Sequence, residues 1–99
     1  MPKTTNISFE NTRCVITYDL ENNDVSTEDI AGESHYLNCT TAVNNTSYDL
    51  PYTTLRSDLD VEKAKDEFKR ALRATGSRSN LKRLFIVDAQ KNSGYIENN

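Results

Sequence analysis

Few side chains in this sequence are equipped for chemistry. His35 is the only histidine, and Cys14 and Cys39 are the only cysteines. His35 and Cys39 have the same parity, so on one extended strand they would share a face two pleats apart. At about 3.3 Å per residue that is roughly 13 Å, beyond the reach of a nucleophile–base hydrogen bond. A zinc site asks for about four closely placed His, Cys or carboxylate ligands, which these three residues on extended chain do not supply. Gly32, Gly76 and Gly94 stand alone, so no glycine-rich loop is available to cradle a phosphate. Carboxylates are plentiful, but no pair is singled out for acid–base work. The expectation is therefore a non-enzyme, with no catalytic residue, no metal and no cofactor. The two thiols are expected to be free and partly buried.

Charge is more informative. Net charge is −3, but residues 1–55 sum to −6 and residues 56–99 to +3. Asp19, Glu21, Asp24, Glu28, Asp29 and Glu33 fall in a stretch without Lys or Arg, and Lys69, Arg70, Arg73, Arg78, Lys82 and Arg83 in one without an acid. Such asymmetry points to interaction surfaces rather than to a buried site, or simply to solubility. Closely spaced carboxylates at Asp19, Glu21, Asp24, Glu28 and Asp29 can imitate a phosphate backbone and occupy a basic groove, trading salt ions for a partner's Lys and Arg. The cationic set Lys69, Arg70, Arg73, Arg78, Lys82 and Arg83 suits phosphate contacts instead. Against that use stand a pI of about 5.1 and the lack of aromatic residues interleaved with these cations for base stacking. Five tyrosines accompany three phenylalanines and no tryptophan. Tyr36, Tyr48 and Tyr52 are expected to serve as binding anchors, being large, rigid and tipped by a hydroxyl.

The elements that must position these residues form one small domain, residues 1–99. Leu, Ile, Val and Phe together number 21 of 99 residues, so the core must be thin and a deep pocket is hard to build. No apolar run approaches the roughly 18 residues needed to cross a bilayer, and the opening Met-Pro-Lys-Thr-Thr-Asn lacks the apolar stretch of a signal peptide. A cytoplasmic protein without membrane contact is expected.

Ile7 and Phe9 alternate with polar residues, as do Cys14, Ile16 and Tyr18, but the two runs are out of phase. A bulge near Asn11-Thr12 is favoured over a tight turn there. Residues 20–33 read as an acidic loop, although Ser26-Thr27-Glu28-Asp29 could open one helical turn. Residues 35–43 have the period of a strand, Asn44-Asn45 suits a two-residue hairpin turn, and a third strand follows over 47–55 with Pro51 marking an edge. Tyr18 and Tyr36 are expected on the sheet face away from the helix.

The clearest element is a helix capped by Ser57 or Asp58. Val61, Ala64, Phe68, Ala71, Leu72 and Thr75 form its apolar stripe, and Gly76 is its left-handed stop. Leu84-Phe85-Ile86-Val87 reads as a strand buried on both faces, central in the sheet, with Phe85 and Val87 packed alongside Phe68 and Leu72. Tyr95-Ile96 closes the fold as a short strand, and residues 97–99 fray. The fold class is α+β: an antiparallel-dominated sheet of four or five strands with one amphipathic helix on one face, in the order β-β-β-α-β(-β).

No stretch matches a motif set specific enough to name a family. In gross character the chain resembles small phage or mobile-element inhibitors of bacterial defence complexes, such as anti-CRISPR proteins, which are often acidic, stand-alone and motif-free. The likeness transfers no site residue. The leading expectation is a protein-binding module that occupies a partner's surface, with a nucleic-acid-handling complex as the partner its acidic stretch would suit. The alternative is a small nucleic-acid-binding or regulatory domain using residues 69–83. Either a monomer or a homodimer is compatible with the sequence.

Overall fold

Alternation along the strands decides which side chains meet the helices. In the computed structural model, which describes residues 2–8, 12–43, 46–78, 80–89 and 92–98, ten elements follow one another. They are β1 (Pro2–Ser8), β2 (Cys14–Leu20), α1 (Thr27–Gly32), β3 (Leu37–Asn38), β4 (Thr40–Val43), β5 (Thr46–Asp49), β6 (Thr54–Ser57), α2 (Val61–Ala74), β7 (Leu81–Asp88) and β8 (Asn92–Asn98). The main sheet has four strands in the order β3-β6-β2-β7, antiparallel throughout, and β1 pairs with β8 and β4 with β5 as two-stranded units. The α+β class expected from the sequence is the class observed.

On β2, Cys14, Ile16 and Tyr18 point inward and are buried. They meet Leu55 of β6, Leu37 of β3, Ile30 of α1 and the Ala64, Phe68, Ala71 and Leu72 stripe of α2. The helix forms where its periodicity places it, because this stripe buries against the sheet together with Ile30 of α1. Its cap, however, is Asp60, whose carboxylate accepts the Lys63 amide at 2.9 Å. Ser57 is instead the last residue of β6, buried, with its hydroxyl accepting the Leu59 amide at 3.1 Å. Gly76 does adopt the left-handed conformation, with φ 80°.

Several expectations are corrected. β7 is an edge strand, not a central one, and Phe85 and Val87 point away from the helix layer rather than packing with Phe68 and Leu72. An unbroken apolar run has no period, so it does not distinguish a doubly buried strand from an edge strand with one wet face. Tyr18 faces the core, its ring centroid 4.9 Å from that of Phe68. The acidic segment 20–33 carries α1, because Ser26 and Asp29 form a reciprocal capping box and Ile30 has a core to enter. The single strand expected over 47–55 is divided between β5 and β6 by a turn at Pro51, where the Thr54 amide reaches the Pro51 carbonyl at 3.1 Å. Residues 97 and 98, expected to fray, continue β8 opposite Lys3 and Pro2.

β4 and β5 pair as the hairpin signal requires, from Thr40↔Asp49 to Val43↔Thr46, while Asn44 and Asn45 themselves lie outside the described residues. So does Asn11 of the expected bulge. The flanking ladders nevertheless differ in register: β1 and β8 align Ser8 with Asn92, whereas β2 and β7 align Cys14 with Asp88.

Candidate functional site

Both helices lie on one side of the main sheet; on the other, Arg56 holds Thr40 and Thr12 beside β6, while Phe85 and Val87 of β7 stay exposed. The residues that alternate outward there form cross-strand rows. Asn38, Arg56, Val15 and Val87 make one row, Thr54, Thr17 and Phe85 the next, and Asp19 and Arg83 the last. Phe85 is 65% exposed and Val87 41%, against complete burial of Phe68 on the opposite side. Beside Phe85 runs an open groove of about 520 Å³, lined by Thr17, Tyr18, Asp19, Thr53, Arg83, Leu84 and Phe85. An aromatic ring on a strand, ringed by threonines and an opposite-charge pair, has the make-up of an interface: apolar centre, polar rim.

Strain is concentrated at one end of this groove. Thr53 has φ 62°, an outlier for a β-branched residue. It is held there by three contacts. Its amide donates to Thr27 Oγ1 at 3.2 Å, its carbonyl accepts from the Tyr18 amide at 3.2 Å, and its hydroxyl donates to the Tyr52 carbonyl at 2.6 Å. Tyr52, which precedes Thr53 in this turn, is 60% exposed.

The acidic residues named from the sequence are not a free row of carboxylates. Asp19 faces Arg83 at 3.6 Å, and Glu21 accepts from Asn80 Nδ2 at 3.2 Å. Asp24 accepts from Ser77 Oγ at 2.7 Å and from the Arg78 amide at 3.0 Å, tying the segment to the loop after α2. Asp29 closes the α1 capping box, and Glu28 is exposed in that helix's first turn. The basic residues are dispersed as well. Arg70 donates to Glu67 (2.6 and 2.8 Å) and to the Glu33 carbonyl (2.6 Å), turning toward α1, while Arg83 lies on the outer sheet face. Lys69, Arg73, Arg78 and Lys82 are exposed on α2, the following loop and β7.

Among the tyrosines, Tyr36 is 48% exposed just before β3, and Tyr48 is half-buried on β5. With Tyr52 in the turn, the three stand on separate elements. Tyr36 is held through its backbone: its amide donates to Ser34 Oγ at 3.0 Å, and that hydroxyl donates to Glu67. The guanidinium of Arg70 and the Ser34 hydroxyl hold the Glu67 carboxyl below its ordinary range.

Sequence reasoning missed Phe85 as an exposed residue and missed Arg56 altogether. Arg56 is half-buried on β6, with Nε donating to the Thr40 carbonyl at 2.7 Å and Nη1 to Thr12 Oγ1 at 3.2 Å, and burial lowers its pKa. It fastens β4 and the approach to β2 onto the outer face. The signal was present in its alternation with Leu55 and Ser57, which gives Arg56 the outward parity.

Known protein families, curated proteins and solved structures give no match to this chain.

The chemistry-bearing residues do not converge. β3 begins only at Leu37, so His35 precedes the strand and Cys39 follows it, and the shared-face geometry expected for them does not form. Both cysteines are free, and burial raises the pKa of each thiol above its ordinary value. Among the described residues, no group of three or more His, Cys, Asp or Glu could hold a metal ion, and no helix is long and apolar enough to cross a membrane.

Proposed function

We propose that this chain is a non-enzymatic protein-binding module that acts by occupying a partner's surface, and that it docks through the face of its main sheet opposite the helices. The observation that carries this reading is the exposure of Phe85, 65%, beside Val15 and Val87 on a face that no helix covers. Leaving an aromatic ring in water contributes nothing to folding, whereas an apolar pocket on a partner would gain about 2–3 kcal/mol by taking it up. Asp19 and Arg83 at the rim set orientation rather than affinity.

A mimic of the phosphate backbone fits less well. Its carboxylates must be free to exchange salt ions for a partner's cations, and Asp19, Glu21, Asp24 and Asp29 already accept from donors of this chain. A nucleic-acid surface built from residues 69–83 meets a similar objection, since Arg70 and Arg83 face Glu67 and Asp19.

The test is affinity capture from native extract with and without nuclease, comparing Phe85→Ser with Glu21→Gln/Glu28→Gln. The expected result is a protein retained after nuclease treatment, lost with Phe85→Ser and kept with the two Gln changes. Capture that depends on nucleic acid, or that ignores Phe85, overturns the proposal.

A further inference from the structure

The outer edge of β7 carries an inference that deepens the docking proposed for the sheet face and rests on it. Among the described residues β7 pairs only with β2. The Tyr18 amide donates to the Thr53 carbonyl on the β6 side of β2, and the Ala89 amide to the Arg13 carbonyl on the β7 side. Odd residues of β2 therefore address β7, and their partners Phe85 and Val87 turn their backbone groups toward β2. Leu84, Ile86 and Asp88 turn theirs away, and these N–H and C=O groups have no partner among the described residues. The free run is bounded. At one end the register shifts, with Asp19 facing Arg83 but Leu20 facing Leu81, so Lys82 is an extra, bulged residue. At the other end stands the exposed Asp88. Bulges and charges are the ordinary means of keeping a sheet edge from pairing. Between these two guards, Leu84-Phe85-Ile86-Val87 holds neither a charge nor a proline, and Phe85 and Val87 flank it, exposed, on the outer face.

We propose that this edge takes up an extended segment of the partner protein, added beside β7 as a further strand of the main sheet. The outward groups recur at every second residue, about 6.8 Å apart, and another extended backbone is what matches donors and acceptors at that spacing. The segment spans about five or six residues, because the bulge at Lys82 and the charge of Asp88 end the open run. Its side chains alternate. Those on the outer face lie beside Phe85 and Val87 and are apolar, and those between them lie beside Leu84 and Ile86, which pack against the core. Every neighbouring pair in this sheet is antiparallel, and an antiparallel newcomer starts beside Asp88 and ends beside Arg83 and the bulged Lys82. A basic leading residue and an acidic trailing one complement those charges. Backbone bonds then supply the register, and the Phe85 ring selects the side chain next to it.

The probe is the capped peptide acetyl-Lys-Val-Thr-Val-Thr-Glu-amide, with a control N-methylated at both threonines. Set antiparallel to β7, its lysine faces Asp88, its valines face Val87 and Phe85, and its threonines face Ile86 and Leu84. Methylation removes two N–H groups directed at β7 and leaves every side chain in place. Hydrogen exchange followed by NMR reads the edge residue by residue. In the free chain the amides of Leu84 and Ile86 should exchange fast, and those of Phe85 and Val87 slowly. At about 5 mM the plain peptide should slow Leu84 and Ile86 by about threefold or more, and the methylated one should not. Slow exchange of Leu84 and Ile86 in the free chain, no effect of the plain peptide, or equal effects of the two peptides overturns the proposal. Protection that grows with the concentration of the chain alone assigns the edge to a second copy and overturns it too. A peptide that fails while Phe85-dependent capture stands removes strand addition alone. Capture that ignores Phe85 overturns the docking face itself, whatever the peptide does.

Discussion

The Tyr18 hydroxyl and Thr27 Oγ1 lie 2.9 Å apart in the core, and the same oxygen accepts the amide of the strained Thr53 at 3.2 Å. One hydroxyl thus joins β2, α1 and the turn beside the groove. Removing it by Thr27→Val leaves both the Tyr18 hydroxyl and the Thr53 amide unpaired, with an expected loss of about 2–3 kcal/mol. Tyr18→Phe leaves the Thr53 bond intact and should cost only about 0.5–1.5 kcal/mol. Urea unfolding with an unchanged slope measures both. If Tyr18→Phe is the more damaging, the turn does not depend on Thr27.

Thr53 itself should tolerate glycine better than threonine. A left-handed β-branched residue costs about 1–2 kcal/mol, and glycine returns part of that gain through its greater freedom in the unfolded chain. Thr53→Gly is expected to raise stability by about 0.5–1 kcal/mol. A fall in the unfolding midpoint would show that the Thr53 hydroxyl bond to the Tyr52 carbonyl outweighs the strain.

The two faces of the sheet should respond oppositely to loss of a ring. Phe68 is completely buried, so Phe68→Ala should cost about 3–5 kcal/mol, enough to unfold much of the population of so small a domain. Phe85→Ser removes a ring that is 65% exposed and should change stability by no more than about 0.5–1 kcal/mol. Comparable losses at the two positions would mean that the outer face is covered in solution.

Glu67 supplies a pH signature. Its carboxyl titrates below the ordinary value of 4.5 because Arg70, and then Ser34, favour the ionised form. A depressed carboxylate contributes stability that is complete above its unfolded pKa and disappears as pH falls through its folded pKa. Glu67→Gln should therefore melt about 2–4 °C lower than the unmodified chain at pH 7, and the gap should close as pH drops below about 4.5. A gap that persists at pH 2–3 would point to packing rather than charge.

How much of this was legible in the sequence varied with the range of the interaction. Stripe and terminator place α2 correctly because both act within a few residues. Parity alone does not say which of the adjacent Val15 and Ile16 in β2 points inward, and taking Val15 as the inward one puts Tyr18 on the wrong face. The outward position of Phe85 is decided by where β7 stands in the sheet, and no local pattern encodes that. The acidic stretch misleads for the same reason: Asp24 finds Ser77 and Arg78, and Asp19 finds Arg83, across more than fifty residues of chain. Charge counts record the supply of carboxylates, whereas only the fold records which are already taken.

The position of β2 between β6 and β7 also orders events during synthesis. Cys14 pairs with Ser57 on one side and Asp88 on the other, so β2 leaves the ribosome long before either neighbour exists. Burial of Ile16 and Tyr18 must wait for Leu55 and Phe68 to emerge, and closing such distant contacts is slow. Until then a nascent strand with alternating apolar residues is bare, and a chaperone that shields extended segments would find it there.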